Sequence, residues 1–206
     1  MIKKISLGFA LSVALTFGAK AQSFSPKYVT QSGYGNNTTS AEVDFLSQPG
    51  SQFRLVSINY SEDVATGAIN LSTGSTAYNI VATNVASSSV TNQVNSTNGL
   101  SVNAVLWLEH NGQVYMGTVS TWNATTNSGP YGGTNVVLTS GGFGVLTSPG
   151  DPVYLMTSPV TIPVGNTTNW LNGEALFIGN PGRPVRVQLS TPTATNRLPA
   201  VVGRYE

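Results

Sequence analysis

The chain of 206 residues has no cysteine, a single histidine and only 8% charged residues. Without cysteine no disulfide can stabilise it, and one histidine cannot build a Cys/His zinc site. A Ser-His-Asp triad would have to use His110, and no G-x-S-x-G elbow is present. The glycine-rich stretch GGFGVLTSPG, residues 141–150, lacks the lysine and the following helix of a phosphate loop, so it reads as a turn or bulge. No amphipathic helical pattern of useful length follows the first residues. Nor does any later run reach the roughly 18 consecutive apolar residues of a membrane helix. No metal and no cofactor are expected.

What is present begins with an address. MIKKISLGFALSVALTFGAKAQ places Lys3 and Lys4 before an apolar run and ends it in Ala19-Lys20-Ala21. This is the layout of a secretory signal peptide over residues 1–21, with an apolar core too short for a permanent membrane anchor. No cysteine follows the run, which disfavours a lipid-anchored form. The expected location is secreted, extracellular or at the cell surface, with the periplasm as the alternative, and no integral membrane segment after cleavage. Removing Lys3, Lys4 and Lys20 leaves six cations against eight acids, a net charge of about −2. Those cations are scattered, so nucleic acid, which needs several phosphate-neutralising groups on one surface, is not an expected partner.

Ser, Thr and Asn number 23, 24 and 19, so the water-facing positions carry mainly neutral hydrogen-bonding groups. With 40% hydrophobic residues and almost no net charge, the chain has the composition of a folded protein. Sequons such as those at Asn37, Asn95, Asn123 and Asn166 follow from this composition. Runs rich in Val, Ile, Thr and aromatics, bounded by Gly, Pro, Asn and Ser, predict strands at 53–60, 68–72, 76–83, 100–110, 113–121, 135–140, 153–157, 160–163, 174–178, 185–190 and 200–205. Short strands without helices between them predict an all-β, antiparallel β-sandwich of jelly-roll or Greek-key type. Residues 22–52 read as an extended N-terminal arm or edge strand, 53–206 as a single β-sandwich domain, and 87–98 as a long loop. An outer-membrane barrel is disfavoured, because most runs are too short and too often broken by Pro or Gly. The strand rhythm is similar to that of secreted and virion-surface sandwich modules as a class, with no motif tying it to one family.

The histidine lies in WLEHNGQVYM, residues 107–116, beside Glu109. Asn111-Gly112 between two apolar runs is a strong hairpin signal, since a type I′ turn needs positive φ at both central residues. Consecutive strand residues face opposite sides, so Glu109 and His110 do not share a proton, and His110 reads as a solvated residue at a hairpin end. The hairpin is apolar on both faces. Leu106, Leu108, Tyr115 and Val119 suit a core. Val105, Trp107, Val114 and Met116 form a second face that needs a cover: a loop or arm of the same chain, a neighbouring subunit or a ligand.

Trp122, Tyr131 and Trp170 are candidate glycan-stacking aromatics. The pairs Glu42/Asp44 and Glu62/Asp63 are the nearest approach to calcium ligands, without an Asp-rich loop of ligand spacing. These features point to a noncatalytic structural or self-assembling surface protein, whose partners are copies of itself or other extracellular components. The alternative is a carbohydrate-binding or adhesive β-sandwich module. A carboxylate-based hydrolase finds no support in the eight scattered acids.

Overall fold

The computed structural model describes residues 27–127 and 133–206. The expected signal peptide and Tyr131 lie outside the described residues. The described chain is all-β, and every strand pair is antiparallel. In chain order the strands are β1 (Lys27–Tyr34), β2 (Glu42–Phe45), β3 (Phe53–Glu62), β4 (Ala68–Ala82), β5 (Thr91–Val94), β6 (Val105–His110), β7 (Gln113–Asn127), β8 (Gly133–Leu138), β9 (Pro152–Met156), β10 (Val160–Pro163), β11 (Thr167–Ile178), β12 (Val185–Leu189) and β13 (Arg197–Tyr205).

Several expectations change. The strand expected at 100–110 begins only at Val105, and the one expected at 174–178 begins at Thr167. The runs at 68–72 and 76–83 are one strand, β4, because Gly74 continues the ladder instead of breaking it; its N–H bonds Pro184 O and its O accepts from Asn180. A Cβ at Gly74 would lie 2.9 Å from Pro184 Cδ and 3.1 Å from Tyr154 Cβ, so the strand passes through a gap only glycine fits. The polar stretch 87–98 contains β5, whose Asn92 and Val94 are buried despite their Ser- and Asn-rich neighbours. The arm 22–52 supplies two strands, β1 and β2, each at the edge of a different sheet.

The first half of the molecule is two layers. One has the order β1-β13-β3-β11; the other runs β2-β12-β4, with β10 on the far side of β4. Between them lies a core built from alternate residues of both layers, including Phe45, Phe53, Leu55, Ile58, Leu71, Val187, Val201 and Tyr205. Phe45 stacks on Phe53 at 4.3 Å, and Phe53 meets Tyr205 edge-on at 5.1 Å. Burial pushes the Tyr205 hydroxyl up to about 12, with the Glu109 charge adding to the shift, and the hydroxyl donates to Leu46 O at 2.7 Å. Alternation slips once in β3. Leu55 and Ile58 are both buried because neither β13 nor β11 gives Val56 a partner, a bulge that turns the strand by one face.

The second half is a closed ring. β4 continues past Gly74 to pair β9 on one side and β5 on the other; β5 pairs β8, β8 pairs β7, β7 pairs β6, and β6 returns to β9. Its interior holds Tyr78, Ile80, Val94, Leu106, Leu108, Val119, Val136, Leu138, Phe143 and Val153. The glycine-rich stretch 141–150 forms turns, with positive φ at Gly141, Gly142, Gly144 and Gly150, that seat Phe143 in this core.

Candidate functional site

The β6–β7 hairpin is the place to begin. Its register puts His110 opposite Gln113, Leu108 opposite Tyr115 and Trp107 opposite Met116, and Asn111 and Gly112 have φ of 51° and 73°. Glu109 and His110 take different partners, as opposite faces require. Glu109 reaches across to the β2–β3 loop, where it accepts from the Ser47 N–H at 2.7 Å and from Ser47 Oγ at 2.7 Å. It also accepts from Trp107 Nε1 at 3.2 Å, and Ser47 Oγ accepts in turn from the Tyr154 hydroxyl at 2.9 Å. This network clamps the ring to the sandwich.

His110 is not solvated, contrary to expectation. Its side chain is 12% exposed, with Nδ1 2.7 Å from Asp151 Oδ2. The partner was invisible locally because it sits 41 residues away on the β8–β9 connection. Asn111 Nδ2 donates to Nε2 at 2.9 Å, so Nδ1 is the nitrogen that donates to Asp151. The nitrogen that would address a nucleophile is thereby engaged within the hairpin.

The second apolar face of the hairpin is divided. Trp107, one of the residues of the expected partner or ligand face, is fully buried and packed with Tyr154 and Met156. Val114 packs half-buried against this cluster. Val105 and Met116 remain open to a cleft of about 290 Å³ between the halves. Their wall is completed by Met156 and Pro159. The facing wall is the outer side of the β2-β12-β4 layer, carrying Asn70, Ser72, Arg186 and Gln188, with Thr157 at the junction. Strand alternation explains that wall, since Val185, Val187 and Leu189 point into the first core and leave Arg186 and Gln188 outward. A second recess of about 400 Å³ continues along 101–105 and 155–159 and shares Val105, Met156, Thr157 and Pro159.

Charge in the cleft wall is largely internal. Cross-strand register sets Asp44 and Ser72 on either side of Arg186, and Glu42 and Asn70 on either side of Gln188. The Arg186 side chain, 12% exposed, pairs with Glu42, while its Nε lies 3.7 Å from Asp44 Oδ1. Burial pushes Asp44 up to about 7 and pulls Arg186 below its ordinary value. Glu42 and Asp44 thus serve an arginine and do not form a cation pair of their own. Glu62 and Asp63 diverge as well: Glu62 is buried beside Thr191, whereas Asp63 accepts from the hydroxyls of Thr195 and Thr193, which hold its carboxyl below the usual range.

The two described aromatics, Trp122 and Trp170, do not converge. Trp122 on β7 packs against the ring's core, and Trp170 on β11 is 52% exposed on the sandwich. Arg186, Asn70 and Gln188 were missed in the sequence. The only signal was the alternation in ALA-ILE-ASN-LEU-SER and VAL-ARG-VAL-GLN-LEU, which shows that these residues share an outward face but not what faces them. The chain matches no family model, no curated protein and no solved structure.

Proposed function

We propose that this protein is a secreted, noncatalytic structural protein that self-assembles at a surface or in an extracellular layer. The observation that carries the reading is the outer edge of β11. A sheet edge left bare invites pairing with another strand, and native edges are usually guarded by charge, proline or a bulge. Three edges of the sandwich have such guards: Glu42 and Asp44 on β2, Pro163 on β10, and Lys27 with the irregularity between Gln31 and Gly33 on β1. The first half of β11, Thr-Thr-Asn-Trp-Leu-Asn at 167–172, has none. It pairs regularly with β3, carries no charge and presents the half-exposed Trp170. The Trp170 N–H donates to Asn169 Oδ1 at 2.8 Å, a local partner that an added strand would replace. Neutral Ser/Thr/Asn surfaces also repel one another little, which favours dense packing.

The finer fold class belongs to the same reading. Numbered 1 to 8 in chain order, the sandwich strands β1, β2, β3, β4, β10, β11, β12 and β13 stand as 1-8-3-6 in one layer and 2-7-4-5 in the other. Consecutive strands cross between layers throughout, except from the fourth to the fifth. That order supports an eight-stranded jelly roll, with the ring inserted between its fourth and fifth strands. Glycan binding is the second reading, favoured by the exposure of Trp170.

Light scattering and electron microscopy of residues 22–206 over a wide concentration range test the assembly reading. Ordered oligomers or filaments are expected, and Asn169→Lys, which places a charge on the bare edge, is expected to return the protein to monomer. A wild-type protein that stays monomeric at high concentration would remove the proposal.

A further inference from the structure

The cleft between the halves stands apart from the β11 edge and has a chemical character of its own. One wall is aliphatic and thioether: Val105, Met116, Met156 and Pro159. The other presents amide and hydroxyl groups from Asn70, Ser72 and Gln188 beside an arginine already held by Glu42. We infer that this cleft is a binding site for a small neutral amphipathic ligand of the mono- or disaccharide class.

Each feature narrows the ligand. An anion would have to compete with Glu42 and Asp44 for Arg186, and a cation would face that arginine, so a neutral ligand fits best. A volume of about 290 Å³ is at the lower bound of the roughly 300–1,000 Å³ usual for small-ligand pockets, too little for a long acyl chain. Planar amides and a hydroxyl on one wall match the alternating donors and acceptors of a polyol, while methionine side chains adapt to the C–H face of a sugar ring. A peptide strand is disfavoured. Extended peptides are usually read through open sheet edges, and here β12 and β4 are internal strands whose backbone groups are spent in the ladder.

The chain supplies its own reporters, since Met116 and Met156 are its only methionines after Met1. Methyl-labelled methionine in residues 22–206 therefore gives two signals, both from the apolar wall. The probes are glucose, galactose, N-acetylglucosamine and their β-linked disaccharides, with sodium sulfate and trialanine alongside. At least one saccharide is expected to move both signals saturably at millimolar concentration. Its Kd should weaken roughly tenfold in Asn70→Ala and in Gln188→Ala, as the loss of one or two hydrogen bonds implies, and stay unchanged in Val85→Ala, an exposed position outside the cleft. Ser72→Ala, which removes only a hydroxyl, repeats the test should either amide variant fail to fold. Signals that no saccharide moves, that respond only to sulfate or trialanine, or that respond equally in the cleft variants would overturn the proposal.

Discussion

The two halves of this molecule bury comparable cores but treat their sheet edges in opposite ways. In the ring, β4, β5, β8, β7, β6 and β9 pair in a closed circuit, so none of these ladders ends in an open edge. Among the described residues, both layers of the sandwich end in free edges, and one of them, β11, is unguarded over its first half. Closure removes the edge problem altogether, whereas an open sheet can manage or exploit it. The comparison places the proposed self-pairing on the sandwich, while the outer wall of the ring completes a cleft. β4 binds the two together as one 15-residue strand whose two parts belong to different cores.

That comparison breaks first at the cores. Leu71→Ala in the sandwich and Leu108→Ala in the ring each remove a fully buried side chain and should cost about 2–5 kcal/mol in denaturant unfolding. Because β4 and the Ser47 clamp join the halves, each variant is expected to lower one common transition. Two separate transitions would show that the halves fold independently.

Next in size is the clamp. Glu109→Ala strips the Ser47 N–H, Ser47 Oγ and Trp107 Nε1 of their shared acceptor and should cost about 1–3 kcal/mol. The loss should be accompanied by greater exposure of Trp107, read by its fluorescence. Unchanged stability and emission would mean that packing alone holds the halves together.

The remaining effect is a slope with pH. Burial raises Asp44 from its ordinary value of 3.8 to about 7. Between those values the folded state holds a proton that the unfolded chain has released. Stability through this group is therefore fully present below about pH 4 and falls as pH rises toward 7, by no more than about 1.4 kcal/mol per pH unit. Denaturation midpoints of Asp44→Asn should lose this part of the pH dependence, whereas Asp63→Asn should leave the pH 4 to 7 slope in place. A wild-type slope of the opposite sign, traced to Asp44 by the same variant, would show that pairing with Arg186 outweighs burial.

How much was legible beforehand varies with the range of the interaction. The β class followed from composition and two-residue alternation, and the β6–β7 hairpin from Asn111-Gly112, because both are properties of a few neighbouring residues. The double apolar character of that hairpin was also local. The distant partners of its residues were not. Ser47 meets Glu109 across 62 residues, Asp151 meets His110 across 41, and Glu42 meets Arg186 across 144. β5 was hidden because its polar neighbours mask two buried positions, and β4 was split because Gly74 has the same letter whether it breaks a strand or lets two chain segments approach.

By itself, then, the sequence determined that the described chain is built of strands, that cysteine does not hold it together, and where one tight turn must fall. Each is fixed by backbone sterics and side-chain chemistry within a turn or a strand. Only the tertiary structure decided which strands are neighbours, that one set closes while the other stays open, and that Arg186 and Met156 share a cleft. Those outcomes depend on which distant edges pack best, and an alternating pattern carries no label for its partner.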